Sequence, residues 1–114
     1  MNKRYLEIKK LIQENRPDVE IAEAMSNYHE NDIAELLENL SQPERKRIYH
    51  VLGLAKTANV FPYFDDPQQY IEEISVEDAA AIISLMDSDD AVDILEQLDP
   101  GKKTRIVEKL QGSI

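Results

Sequence analysis

A twelve-residue pattern that recurs along most of the chain is the strongest constraint on its fold. Residues 75–98 contain two successive copies, in which Ser75 aligns with Asp87 and Met86 with Leu98. Each copy begins with a residue suited to a helix N-cap, has an acid three places later, and then shows apolar residues at helical spacing. Each copy therefore predicts a helix of about ten residues.

The same unit extends in both directions from this stretch. Each unit ends on an apolar residue, twelve positions after the previous one, except that one unit is two residues shorter. The closing residues are Leu40, Leu52, Phe64, Ile74, Met86, Leu98 and Leu110. An apolar or aromatic pair precedes each closing residue, and in six units a turn or cap residue follows it. Those following residues are Ser41, Gly53, Asp65, Ser75, Asp87 and Asp99.

A comparison of the free energy of apolar burial with the entropic cost of ordering the backbone shows that these units must stack to be stable. One unit buries three or four apolar side chains, which contributes on the order of 5 to 10 kcal/mol. Ordering twelve residues of backbone costs roughly 12 to 24 kcal/mol. No unit can be stable alone, so each must share its apolar stripe with both neighbours. The pattern predicts an all-α solenoid, wound to the right or to the left, and shows no competing strand period.

The N-terminal residues form a separate unit in this interpretation. Residues 1–16 predict an amphipathic capping helix, with Tyr5 and Ile8 on its apolar face and Pro17 just after its end. Residues 17–114 predict the repeat array. At 114 residues, the chain is long enough for one core and too short for two.

The charge distribution indicates which partners the chain can bind. The net charge is -10, and residues 57–101 contain twelve acids and no Lys or Arg. Nucleic acids and anionic lipids bind chiefly through Lys and Arg, so we expect neither as a partner. Cations or basic protein surfaces are the natural partners, and the alternative is an acidic face that only confers solubility.

Other features exclude several classes of protein. The chain has no Cys, which excludes disulfides and thiolate metal sites. It has no apolar run of about 20 residues and no signal-peptide core, so we expect a soluble chain that is not exported. His29 and His50 lie outside any nucleophile or zinc-protease motif, and no glycine-rich phosphate loop is present. We therefore expect no enzymatic activity.

Four basic residues occur close together in the middle of the chain. Arg45, Lys46, Arg47 and Lys56 predict either a solvated basic face or a docking site for an acidic partner.

The acids near the start of the repeat at residue 87 predict a metal site. Asp87 suits a helix N-cap, and Asp89 and Asp90 suit a first helical turn, where the helix dipole favours acids. Asp93 has no such explanation, since it lies one turn further in and is repelled by Asp89 and Asp90. Carboxylates on one ridge suit Mg²⁺, which needs only one or two of them plus water. The candidate ligands are Asp89, Asp90 and Asp93, and the alternative is a solvated cluster.

Three motifs resemble the N-terminal cytoplasmic domain of the MgtE family of magnesium channels and transporters. They are DDAVDILEQL at residues 89–98, NDIAELLENL at residues 31–40 and AKTANVF at residues 55–61. The resemblance covers roughly residues 17–110. It implies a right-handed superhelix of short helices.

The resemblance also implies a function and a set of partners. In the family, this domain precedes paired CBS domains and a membrane pore on one polypeptide, lies on the cytoplasmic side, and belongs to a homodimer. It senses Mg²⁺, because ions bound between its acids and those of the CBS domains close the pore. The family's acids correspond to Asp89 and Asp93, and a further family acid, usually Glu, corresponds to Asn59. The chain would then be a regulatory domain without the pore, with one ion site altered by the neutral Asn59.

A second hypothesis comes from similar twelve-residue helical repeats in flagellar motor-switch proteins. By that resemblance, the chain would be a protein-interaction scaffold whose acids only solvate its surface.

Overall fold

The computed structural model describes residues 2–112, and its regular secondary structure is helical throughout that range. The α-helices are α1 (Lys3–Gln13), α2 (Asp18–Ala24), α3 (Glu30–Glu38), α4 (Gln42–Leu52), α5 (Leu54–Val60), α6 (Pro67–Glu72), α7 (Val76–Ser84), α8 (Ser88–Gln97) and α9 (Pro100–Gly112). A short 3₁₀ turn, Phe61–Tyr63, follows α5. The predicted all-α fold of short helices is confirmed.

The twelve-residue pattern identifies the core. In all seven units the first member of the apolar pair is buried, and these residues belong to one continuous cluster. They are Leu36, Ile48, Val60, Tyr70, Ile82, Ile94 and Ile106. The shared apolar stripe predicted from the sequence is therefore the core of the folded chain.

Several helices pack against the helix two places later in the chain. The pairs are α2 on α4, α3 on α5, α5 on α7, α6 on α8 and α7 on α9. This arrangement is what a coil of short helices requires, and it gives a body of 40 × 24 × 21 Å. The right-handed winding implied by the family resemblance stays a prediction.

Helix α1 covers the N-terminal side of this array by packing on α2 and α4. Tyr5 and Ile8 are each 1% exposed, so the predicted apolar face is the buried one. The Tyr5 hydroxyl also donates to a carboxylate oxygen of Glu35 at 3.2 Å, which ties α1 to α3. The division into residues 1–16 and 17–114 stays a prediction, and residues 1, 113 and 114 lie outside the described part.

The shortened unit is filled by aromatic side chains. The Phe61 and Phe64 rings meet edge to face at 5.0 Å between centroids, and Phe64 lies 4.3 Å from the ring of Tyr70. Helix α6 begins at Pro67 with Asp66 as its N-cap, one residue later than the repeat pattern indicates. Large rings therefore occupy the space where the chain is two residues short.

Predicted capping interactions are present to different degrees. At α4, the backbone N–H of Glu44 donates to Ser41 Oγ, and the N–H of Ser41 donates to Glu44 Oε1 at 2.9 Å. At α7, Ser75 Oγ accepts from the N–H of Asp78 at 3.1 Å. At α8, Asp87 is the N-cap residue but its side chain makes no capping hydrogen bond. The predicted N-cap position of Asp87 is confirmed, and the residue also lines a neighbouring groove.

Candidate functional site

Helix α8 presents two of the predicted ligands on its outer face. Ile94 and Leu98 point into the core and are 3% and 6% exposed. Asp89 and Asp93 are exposed on the opposite side of the helix. Residues four apart on a helix are surface neighbours, so these two carboxylates share one ridge.

The third predicted ligand, Asp90, lies on the flank of the same helix. It is partly buried and lines a groove of about 440 Å³ together with Asp87, Asn59, Tyr63 and others. The structure thus brings Asp89 and Asp93 together and turns Asp90 toward α5. The three acids form a line across α8 rather than one tight cluster.

The charge on the outer ridge is not neutralised by its own fold. Within residues 2–112, the side chains of Asp89 and Asp93 have no hydrogen-bond or ion-pair partner. The same part of the chain contains no group of three or more His, Cys, Asp or Glu side chains placed to hold a metal ion. The ridge therefore offers at most two carboxylates, a number that suits Mg²⁺ when water or a second surface completes the coordination.

Comparison with known proteins decides the family. The family described as the MgtE intracellular N domain matches residues 28–113, which is most of the chain. The chain belongs to this family. A comparison with curated proteins found no match.

One solved structure is similar in fold to this MgtE N domain. It is described as the soluble part of a magnesium transporter, and it matches with a TM-score of 0.84 at 20% sequence identity. The match covers 93% of this chain and 43% of the other, so this chain spans less than half of that protein's length. At this identity the likeness concerns the fold.

Asn59 is the one predicted departure from the family that lies beside the acids. It is exposed on α5 and lines the groove that also contains Asp90 and Asp87. Its amide oxygen can still coordinate a hard cation, but it supplies no negative charge. That a family acid corresponds to Asn59 stays a prediction.

Of the four residues of the predicted basic patch, Lys46 and Lys56 are exposed, whereas Arg45 is used inside the fold. Its guanidinium donates two hydrogen bonds to the carboxylate of Glu73, at 2.6 and 2.8 Å, and another to the carbonyl of Leu40. It also lies over the ring of Tyr70, 5.0 Å from the centroid. The Arg45 side chain is only 11% exposed, so it joins α4 to α3 and α6 rather than facing solvent.

Arg47 is also used inside the fold. It donates to Asp18 at 2.9 Å and to Asn15 at 3.0 Å, and a third bond reaches the carbonyl of Arg16. These bonds hold the turn between α1 and α2 against α4. Both predicted roles, a solvated face and a docking patch, are therefore wrong for Arg45 and Arg47.

The burial of Arg45 could have been predicted from helical spacing in the sequence. Arg45 lies three residues before Ile48, the buried residue of its unit, so helical spacing places it on the inner side of α4.

The two histidines are separate from the acidic ridge. His50 is exposed, and its Nε2 lies 3.1 Å from Asp18 Oδ2. The backbone N–H of His29 donates to Asp32 Oδ2 at 3.1 Å at the start of α3. His29 therefore lies at the start of α3, and His50 lies near the end of α4 against the start of α2.

No helix within residues 2–112 is both long enough and apolar enough to cross a bilayer.

Proposed function

We propose that this chain is a cytoplasmic, Mg²⁺-sensing regulatory domain of a magnesium transporter. Its membership of the MgtE N-domain family supports this, together with a fold similar to the soluble part of a magnesium transporter. The single observation that carries the proposal is the pair of unpartnered carboxylates, Asp89 and Asp93, on the outer face of α8.

In this proposal the ion acts as a bridge between two acidic surfaces. Asp89 and Asp93 supply one or two ligands, Asp90 contributes from the flank, and acids of CBS domains on the same polypeptide supply the rest. Without the ion, the facing carboxylates repel each other and the surfaces separate. With the ion, the closed arrangement of the domains is favoured and the membrane pore of the same polypeptide closes.

The energetics require a site shared between domains. A change from 1:99 to 99:1 in favour of the closed state requires that ions bind it about 10⁴-fold more tightly, or about 5.5 kcal/mol. Ions bound to this domain alone shift nothing, because both states contain it equally. We therefore expect weak Mg²⁺ binding by the isolated domain and much tighter binding by the closed assembly. A homodimer, as proposed for the full-length protein, doubles the number of such sites.

Limited proteolysis of the full-length protein, with and without Mg²⁺, tests the proposal. Mg²⁺ should protect the wild-type protein, and the double variant Asp89→Asn plus Asp93→Asn should lose that protection. The matched control is Glu7→Gln plus Glu23→Gln, which removes the same charge from exposed positions on α1 and α2. Equal protection of the double variant and the wild type would exclude these carboxylates as the Mg²⁺ sensor.

A second candidate function is a protein-interaction scaffold, and one observation favours it. Val92 is 50% exposed on α8, one residue before Asp93, and contact with another protein would remove this apolar surface from water. A scaffold would bind its partner equally well with and without Mg²⁺. Val92→Ser would then weaken binding, whereas loss of binding on Mg²⁺ removal would favour the sensor.

A further inference from the structure

A cleft that shares no lining residue with the groove beside Asp90 is not used by the proposed Mg²⁺ site. It lies between α4 and α7, with α5 packed on both helices beneath it. Gly53 is the only residue between α4 and α5, and its φ of 81° allows a sharp elbow that other residues rarely adopt. The cleft has a volume of about 500 Å³, within the range of small-molecule sites.

The floor of the cleft is apolar. Ile74 and Ile82 line it and are 9% and 3% exposed. Leu54, the first residue of α5, lies beside them and remains 45% exposed. An apolar group in the cleft would remove this surface from water, which favours binding.

One cationic and one anionic side chain at the cleft are available to a ligand. Lys46 comes from α4 and Asp78 from α7. Neither side chain has a hydrogen-bond or ion-pair partner within residues 2–112. By contrast, the Glu73 carboxylate at the cleft is held by Arg45, and His50 lies against Asp18.

Tyr49 adds a neutral polar group to the α4 wall. Its hydroxyl is buried and has no hydrogen-bond partner in the described part of the chain. Burial raises the pKa of this hydroxyl, so it remains protonated and can donate a hydrogen bond. A buried hydroxyl without a partner costs free energy, which a ligand that accepts its proton would recover.

We propose that this cleft binds a small zwitterion of the amino-acid class with an apolar side chain. The apolar part covers Leu54, Ile74 and Ile82, the ammonium group faces Asp78, and the carboxylate faces Lys46. An anion alone would leave Asp78 unpartnered, and a cation alone would leave Lys46 unpartnered. The flexible stem of Lys46 allows its ammonium group to reach a ligand over the rim.

Three test ligands with the same phenyl group separate the possible charge types. They are phenylalanine, 3-phenylpropanoate and 2-phenylethylammonium, added without Mg²⁺ to this chain and followed by amide NMR spectra. Phenylalanine should cause saturable shifts in α4, α5 and α7, with a Kd about fivefold lower than either singly charged ligand. Shifts that do not saturate with phenylalanine, or equal binding of all three ligands, would overturn the proposal.

Variants at exposed positions test the charge contacts. Asp78→Asn and Lys46→Gln should each raise the Kd for phenylalanine about fivefold. The matched controls Asp65→Asn and Lys56→Gln lie outside the cleft and should leave it unchanged. An unchanged Kd in both cleft variants would overturn the proposal.

Tyr49→Phe tests the hydroxyl separately from folding. It should raise the Kd while leaving the melting temperature equal or higher, because it removes an unpartnered polar group and keeps the ring. A merely structural role would lower the melting temperature and leave the Kd unchanged. None of these variants touches Asp89 or Asp93, so failure here leaves the Mg²⁺ proposal standing.

Discussion

Helices α4 and α8 are two copies of the same repeat with opposite uses of their polar residues. The pattern aligns Ile48 with Ile94, and both are buried. At another aligned pair, Arg47 donates to Asp18 at the start of α2, whereas Asp93 has no partner in the described residues. The apolar register is therefore the same in both helices, and the polar positions are free to differ.

The comparison distinguishes charged side chains that stabilise the fold from charged side chains that have no partner in the described residues. Arg45 and Arg47 join segments about 30 residues apart, since their partners Glu73 and Asp18 lie 28 and 29 positions away. The outer acids of α8 make no such contact. Substitutions in α4 should therefore change stability, and substitutions in α8 should chiefly change the response to ions.

The largest expected effect is at Arg45. Arg45→Met should lower the free energy of unfolding by about 2 to 3 kcal/mol, because it leaves the largely buried Glu73 carboxylate unpaired. Chemical denaturation measures this change. The control Lys46→Met, at the adjacent exposed position, should change stability by less than about 0.5 kcal/mol. Equal effects of the two variants would show that the Arg45–Glu73 pair does not stabilise the fold.

The elbow at Gly53 should give the next largest effect. Gly53→Ala should destabilise the chain by about 1 to 3 kcal/mol, because its backbone conformation is unfavourable for any residue with a Cβ. Steric crowding is not the cause, since nothing lies within 4 Å of the added Cβ. A Cβ added at Gly112 also meets nothing within 4 Å, and Gly112 has no positive φ. Thermal unfolding of Gly112→Ala should therefore show no comparable loss of stability.

The helix caps provide a direct contrast between α4 and α8. Ser41→Ala should cost about 1 kcal/mol, because it removes a hydroxyl that accepts a backbone hydrogen bond. Asp87→Ala should cost only a few tenths of a kcal/mol, the value of an acid near a helix N-terminus. Urea denaturation measures both changes. A larger loss at Asp87 than at Ser41 would contradict the capping geometry.

The α4 cap should also depend on pH through Glu44. Burial alone would raise the pKa of Glu44, but hydrogen bonds from Ser41 and the nearby Lys9 lower it below its usual value. A lowered folded pKa gives stability that is present above the unfolded value of about 4.3 and lost as the pH falls through the folded pKa. The loss of stability caused by Glu44→Gln should therefore shrink at acidic pH, which urea denaturation at a series of pH values measures.

The smallest effect on stability is expected at the outer ridge of α8. Asp93→Asn should raise the free energy of unfolding by a few tenths of a kcal/mol, because it removes repulsion from Asp89 and Asp90 without removing an acid from the first turn of α8. High salt should abolish this gain by screening the charges. A clear loss of stability would show that the ridge has a structural role in the isolated domain.

The core and the helix positions could be predicted from the sequence in detail. Burial of Leu36, Ile82 or Ile106 follows from spacing within a single unit, since helical periodicity is a local property. The same reasoning placed Asp89 and Asp93 on one exposed ridge. It did not separate Asp90 from them, because the neighbouring surface that Asp90 faces belongs to α5.

The sequence by itself determined the all-α repeat and its buried positions, because apolar residues recur every twelve residues, and three of its motifs carried the family resemblance. Only the tertiary structure decided which polar residues have partners. Arg45 finds Glu73 and Arg47 finds Asp18 only after the chain has coiled back on itself, and neither spacing appears in the repeat. Apolar packing needs only the right face of a helix, whereas a hydrogen bond needs one particular partner at one distance and angle.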